Sequence, residues 1–258
     1  MCTLVLFRRP GAAWPLIVGA NRDEMADRPW TAPARHWPDR ADVVAGRDDL
    51  AGGTWLGLND SGVVAGILNR FGTLGPQPGK RSRGELVLEA LDHADAADAA
   101  KALADIDPAA YRPFNMVVAD NRDAFWIRHA GLPAHAVEAF PLPEGLSMLT
   151  AFDIDDAKAD PRIALHRPRF LTVGTPDPDA ESWGGWQGLL SSRDGGGATG
   201  ERSAAMCFQM ETGFGTRSSS LIALPSPERA QALPVARPTW LFAPGPPDCT
   251  PYAPVDLA

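Results

Sequence analysis

Short apolar runs that come in pairs, each pair joined by turn residues, constrain this chain more than any other feature. Thr3 to Phe7 and Leu16 to Ala20 flank Arg8-Arg9-Pro10-Gly11, and Thr54 to Leu58 and Val63 to Leu68 flank Asn59-Asp60-Ser61-Gly62. Apolar segments of this length, closed by residues that tolerate turn dihedrals, read as antiparallel hairpins. Phe114 to Ala119, Ala124 to Arg128, Ser147 to Ala151, Ala204 to Gln209, Ser218 to Leu224 and Thr239 to Phe242 have the same character. Between these groups the period changes. Gly84 to His93 places Leu86, Val87, Ala90 and Leu91 at helical spacing, Ala94 to Ile106 continues as a second, Ala-rich helix, and Arg162 to Leu171 and Ser182 to Leu190 are further candidates. Strand groups separated by helix groups specify an α+β fold, with helices covering antiparallel sheets.

The chain has 258 residues, 45% of them hydrophobic, enough for one large domain with a substantial core. No shift in composition marks a boundary, so residues 1–258 are expected to form a single domain. The Gly72 to Arg83 and Asp194 to Gly200 segments read as mobile loops, and the tail from Pro244 as irregular and Pro-rich. A net charge of −8 and a pI near 5.1 leave no electrostatic footprint for nucleic acid or an anionic membrane. No apolar stretch reaches the roughly 18 residues of a membrane span. The opening run, Cys2 to Phe7, is short for a signal peptide and has Arg8 and Arg9 on the wrong side of it. The expectation is a cytoplasmic protein. Cys2, Cys207 and Cys249 are too few and too scattered for a disulfide framework or a zinc site, and His36, His93, His129, His135 and His166 are as dispersed. No metal is expected.

Cys2 is the sharpest chemical feature. Removal of Met1 places a thiol and a free amine on one residue, and that amine, titrating near about pH 8, can serve as the base for its own nucleophile. The plain alternative is a buried first residue of an apolar strand. Asn21-Arg22-Asp23-Glu24 closes the second apolar run, and hairpin pairing would return it alongside Cys2. There Asp23 could hold the Cys2 ammonium, while Arg22 could hold a thiolate or a substrate carboxylate; a turn held by local hydrogen bonds is the competing reading. Gly52-Gly53-Thr54-Trp55-Leu56-Gly57 signals close backbone approach, to a ligand or to another part of the chain. Asn69, at the end of the following strand, is a candidate oxyanion donor or a turn residue. Arg217, in Gly213-Phe214-Gly215-Thr216-Arg217, is suited to a carboxylate or phosphate. The loop lacks the lysine and spacing of a phosphate-binding motif.

Taken in order, Met1-Cys2, Asn-Arg-Asp-Glu at 21 to 24 with Arg28-Pro29, Gly-Gly-Thr-Trp-Leu-Gly at 52 to 57, Ser-Arg-Gly-Glu-Leu-Val at 82 to 87, Phe114-Asn115 and Gly-Phe-Gly-Thr-Arg at 213 to 217 resemble the NRDE family, also called the transport and Golgi organization protein 2 family. The resemblance runs from residue 1 to about 224. It implies a four-layer αββα sandwich of the N-terminal-nucleophile hydrolase type, similar at a distance to acylases that cleave amides with an N-terminal Cys. It further implies Cys2 as nucleophile, Asp23 as the carboxylate near its amine, the strand pair reaching Asn69 as the source of oxyanion donors, and Arg217 as the arginine of the late strand, for a catalytic set of Cys2, Asp23, Asn69 and Arg217; Asn21, Arg22, Trp55 and Asn115 are the candidates to contact the substrate. One position departs from the pattern. Where the hydrolases carry an Asn, in Leu149-Thr150-Ala151-Phe152-Asp153, this chain has Ala151, and loss of an oxyanion donor costs about 10²–10³ in rate.

Two functions stay open at this stage. One is an N-terminal Cys amidohydrolase acting on the C–N bond of a small acyl or amide substrate, without a cofactor. The other, implied by the family's links to haem handling and lipid metabolism, is a carrier that binds haem or an acyl ligand in the same pocket without turnover. No Cys-Pro or CxxCH haem element is present.

Overall fold

The computed structural model describes residues 2–131, 136–196, 204–232 and 236–258. Met1, His135 and residues 197–200 of the second expected loop lie outside the described residues. The chain divides into two compact units.

The first unit comprises Met1–Asp27 and Pro143–Val255. Its strands are β1 (Thr3–Arg8), β2 (Leu16–Met25), β10 (Gly145–Leu149), β11 (Phe214–Leu224), β12 (Thr239–Ala243) and β13 (Ala253–Pro254). They form an antiparallel sheet in the order β10-β1-β2-β11-β12-β13. β1 and β2 form a hairpin whose connection runs through residues 9–15, longer than the Arg8 to Gly11 turn expected, with Gly11 at φ 81°, where a side chain would be strained. Helices α3 (Pro161–Thr172) and α4 (Trp186–Leu190) cover one face. Side chains alternate along a strand, so that face carries Val5, Ile17, Met148, Leu221 and Ala223, packed against Ile163, Phe170, Trp186 and Leu190. Gly19 belongs to the same face, and a Cβ there would stand 3.0 Å from the Trp186 ring; the missing side chain lets α4 sit close. Pro168 lies inside α3, where it removes one helical hydrogen bond.

The second unit comprises Arg28–Leu142 and Asp256–Ala258. Strands β3 (Trp30–Ala34), β4 (Val43–Asp48), β5 (Leu56–Asn59), β6 (Val64–Asn69), β7 (Phe114–Ala119), β8 (Ala124–His129) and β9 (Glu138–Pro141) form a sheet that follows chain order. Helices α1 (Gly84–Leu91) and α2 (Ala96–Ala104) bury Leu86, Leu91, Ala99 and Leu103 against Ala65, Phe114, Met116 and Ile127. Asp95 caps α2, its carboxylate accepting the Asp98 N–H at 2.9 Å.

The expected strands and helices are present, with three differences. Residues 204–209 are irregular instead of a strand. Their backbone groups bond elsewhere: the Met206 carbonyl accepts from Asn21 and the Cys207 N–H goes to Ser192, and only Gln209 bridges to Gly215. Strand β2 runs five residues beyond its apolar part because β11 pairs with it as far as Phe214 opposite Met25. The short helix Pro227–Gln231 and the two-residue β13, which lies in the tail read as irregular, were not expected, nor were strands β3, β4 and β9. Pro33 and Pro141 disguise two of them, and both of those are sheet-edge strands, where proline is tolerated.

Candidate active site

Cys2 sits just beyond the ladder of β1 and β2, whose final pair is Thr3 with Asn21. Its sulfur occupies the place of the next ladder partner. The Asp23 N–H donates to Sγ at 3.3 Å and the thiol donates to the Asp23 carbonyl at 3.5 Å, with the residue half-buried. Burial pushes the thiol above its ordinary value, and the Asp23 carboxylate pushes it the same way, against opposition from the N-terminal ammonium, the backbone hydrogen bond and Arg22. A thiol so placed is protonated at neutral pH, and attack needs a base.

Asp23 is held on both carboxylate oxygens. Thr216 Oγ1 donates to Oδ1 at 2.8 Å, and Arg162 donates to Oδ2 at 3.2 Å. The same Arg162 nitrogen donates to Thr3 Oγ1 at 2.8 Å. Both charged side chains are almost wholly out of water, at 2% and 0% exposure, so neither charge is tolerable without the other. Neither partner was foreseen. Thr216 was within reach, since it stands beside Arg217 in a singled-out motif. Arg162 gave no signal, because a single sequence cannot mark which helical arginine will be buried.

Other site candidates of this unit have different occupations. Asn21 Nδ2 donates to the carbonyls of Leu190 and Met206, each at 2.8 Å, tying α4 and the 204–209 segment to β2. Arg22 is buried and projects from the sheet face opposite Asn21 and Asp23. Arg217 sits at a bulge between Thr216 and Ser218, and its guanidinium donates to the carbonyls of Glu24, at 3.1 Å, and Gly213. Ala151 is buried in the connector after β10, and its neighbour Thr150 donates to Asp160.

Within the second unit, Asn115 Oδ1 accepts from Arg70 at 2.7 Å and from Trp126 Nε1 at 3.2 Å. Asn69 pairs with Phe114 in the ladder and, by alternation, projects from the face opposite Arg70. Trp55 packs edge-on to Trp30, with ring centroids 5.8 Å apart, and lies so close over Gly46 that a Cβ there would come within 2.4 Å of its ring. The glycines around Trp55 likewise serve packing. A Cβ on Gly53 would meet the Gly84 carbonyl carbon at 2.5 Å, and Thr54 N–H bonds to the Gly84 carbonyl at 3.1 Å. Gly-Gly-Thr-Trp and Ser-Arg-Gly-Glu are thus two halves of one close crossing between the entry to β5 and the start of α1.

Solved structures that share the fold include the N-acylethanolamine-hydrolyzing acid amidase ortholog of Caenorhabditis elegans, with a TM-score of 0.57, 15% identity and coverage of 85% of this chain and 92% of that one. A variant of the conjugated bile acid hydrolase of Clostridium perfringens follows, with a TM-score of 0.52, 10% identity and coverage of 99% and 97%. At these identities the likeness is one of fold alone, that of the N-terminal-nucleophile hydrolase type. Among curated proteins, the Transport and Golgi organization 2 homolog of Mus musculus is 40% identical over 78 residues, 29% of this chain and 28% of that protein. The Homo sapiens homolog is 35% identical over 114 residues, 42% of this chain and 40% of that one. The matched stretches span less than half of either relative. The family model for Transport and Golgi organisation 2 matches residues 1–150, more than half of the chain, and the chain belongs to that family.

Proposed function

We propose that the protein is an N-terminal cysteine amidohydrolase that cleaves the C–N bond of a small acyl amide. The observation that carries this reading is the placement of the Cys2 sulfur against the Asp23 backbone, beside a buried Asp23–Arg162 pair, in a fold shared with an enzyme named for hydrolysing N-acylethanolamines. Removal of Met1 gives Cys2 a free α-amine. That amine takes the thiol proton as sulfur attacks the carbonyl carbon, and returns it to the leaving nitrogen as the C–N bond breaks. Water then hydrolyses the thioester, releasing the acid and restoring the thiol. The negative charge of Asp23, two residues along β2 from the end of the ladder, suits it to orient the Cys2 ammonium.

Intact mass before and after one equivalent of a thiol alkylator, with peptide mapping and a panel of acyl amides, tests the reading. Loss of Met1 with turnover that disappears in Cys2→Ala supports it. Retained Met1 with no turnover overturns it. A second reading, ligand binding without turnover, draws on the buried Ala151 in place of the Asn found in the hydrolases. Titration with haem and with acyl compounds separates the two, since binding to Cys2→Ala that equals binding to the wild type, without turnover in either, fits only the carrier.

A further inference from the structure

An arginine that is 2% exposed needs an explanation, because guanidinium groups are almost never fully buried unless paired. Arg162 has several ties. Its Nη1 donates to Thr3 Oγ1 and to Asp23 Oδ2, and its Cζ lies 5.4 Å from the centroid of the Phe208 ring. Local structure directs it there. Asp160 caps α3, its Oδ1 accepting the Arg162 N–H at 2.8 Å, and its other oxygen takes the Thr150 hydroxyl. Pro161 occupies the first helical position. A side chain in the first turn of a helix points back past the N-terminus, here toward the open end of β1 and β2. The connector that carries Ala151 is the one that delivers Arg162.

The start of β1 has reason to fray. Thr3 opposite Asn21 is the last pair of its ladder, and hydrogen-bonded ladders open most readily at their last pair. Cys2 lies one residue beyond. One guanidinium nitrogen spans the residue after the nucleophile and the carboxylate of the residue whose backbone holds the sulfur.

We propose that Arg162 is the positioning residue of the Cys2 site: it locks Thr3 and Asp23 into one register and thereby sets where the sulfur stands. This gives the amidohydrolase reading its geometry, and its test needs no turnover. The charged and titratable groups about this corner are the N-terminal ammonium, Asp23 and, from the other face of β2, Arg22, with Asp160, Arg162 and His166 from α3 and its cap; burial holds His166 below its ordinary value, so it is neutral at pH 7.

The experiment follows Cys2 alkylation against pH by peptide mapping, with the exposed Cys249 as internal control, in the wild type, Arg162→Met, Arg162→Lys and Thr3→Val. In Arg162→Met the Asp23 charge loses its counter-ion and opposes the thiolate, so the Cys2 midpoint rises by about one pH unit while Cys249 is unmoved. Arg162→Lys restores most of the shift. Thr3→Val removes one hydrogen bond without changing charge, and is expected to move the midpoint less than Arg162→Met does and to speed amide exchange in the first residues of β1. A folded Arg162→Met protein whose Cys2 profile superposes on that of the wild type overturns the proposal. If Arg162→Met does not fold, Thr3→Val decides: faster exchange at the start of β1 supports the proposal, and unchanged exchange overturns it. Absence of amide hydrolysis with these shifts present would refute the functional reading and leave the role of Arg162 standing.

Discussion

At the scale of single residues, burial decides what each ionisable group can do. Asp23 and Arg162 neutralise one another out of water, and deleting one charge of such a pair strands the other at a cost of about 3–5 kcal/mol. Asp23→Asn is therefore expected to lose that much stability in denaturant unfolding, and an activity assay on it must report kcat/KM per folded molecule. Cys207 illustrates the opposite use of a thiol. It is buried, its Sγ donates to Asp248 at 3.3 Å, and burial, together with the Asp248 hydrogen bond and charge, pushes it up to about 12. Between the ordinary thiol value of 9.0 and about 12 the folded state holds a proton that the unfolded state has released, so stability falls as pH rises through that window. Thermal melts from pH 8 to 11 should show this decline, with a shallower slope in Cys207→Ala. At pH 8 Cys207 should resist alkylators that modify Cys249. The Cys in the second position was legible as a chemical candidate from its place alone; its partners Thr216 and Arg162 were not, because they come from residues over a hundred positions away that only sheet register and a helix cap bring to Asp23.

Among the elements, the strongest sequence motifs turn out to shape connections. Gly53 packs on the backbone of Gly84 at the start of α1, and adding a methyl there forces two chain segments apart. Gly53→Ala is expected to destabilise by about 1–3 kcal/mol in chemical denaturation, whereas Gly188→Ala, with nothing within 4 Å of the added carbon, should be close to neutral. Asp160 is the other articulation. It caps α3 and holds Thr150, so Asp160→Ala should cost about 1–2 kcal/mol and, by loosening α3, disturb Cys2 alkylation in the direction that Arg162→Met does. Hairpins and helices were readable because turn residues and apolar period are local properties. The polar half of β2 was not, since Asn21, Arg22 and Asp23 look like a turn until β11 supplies the ladder that keeps them extended.

Across the whole molecule, connectivity separates the two units in the order in which they can form. The second unit draws its sheet from one continuous stretch, Arg28–Leu142, with neighbours in chain order, while the first must close β1 on β10 and β2 on β11, pairing Leu4 with Leu149 and Asn21 with Ser219. Loop closure is slower and costlier for distant partners. Pulse-labelled hydrogen exchange during refolding should therefore protect β6, β7 and β8 before β1 and β2. Among the described residues no helix is long and apolar enough to cross a membrane. The sequence alone determined the hairpins, the antiparallel α+β class and the family, because these rest on local period, turn chemistry and ordered motifs. Only the tertiary structure decided which polar residues bear on Cys2, because a buried charge is stable solely where its counter-charge arrives, and that meeting of Asp23 with Arg162 is set by β-ladder register and the cap of a helix far along the chain.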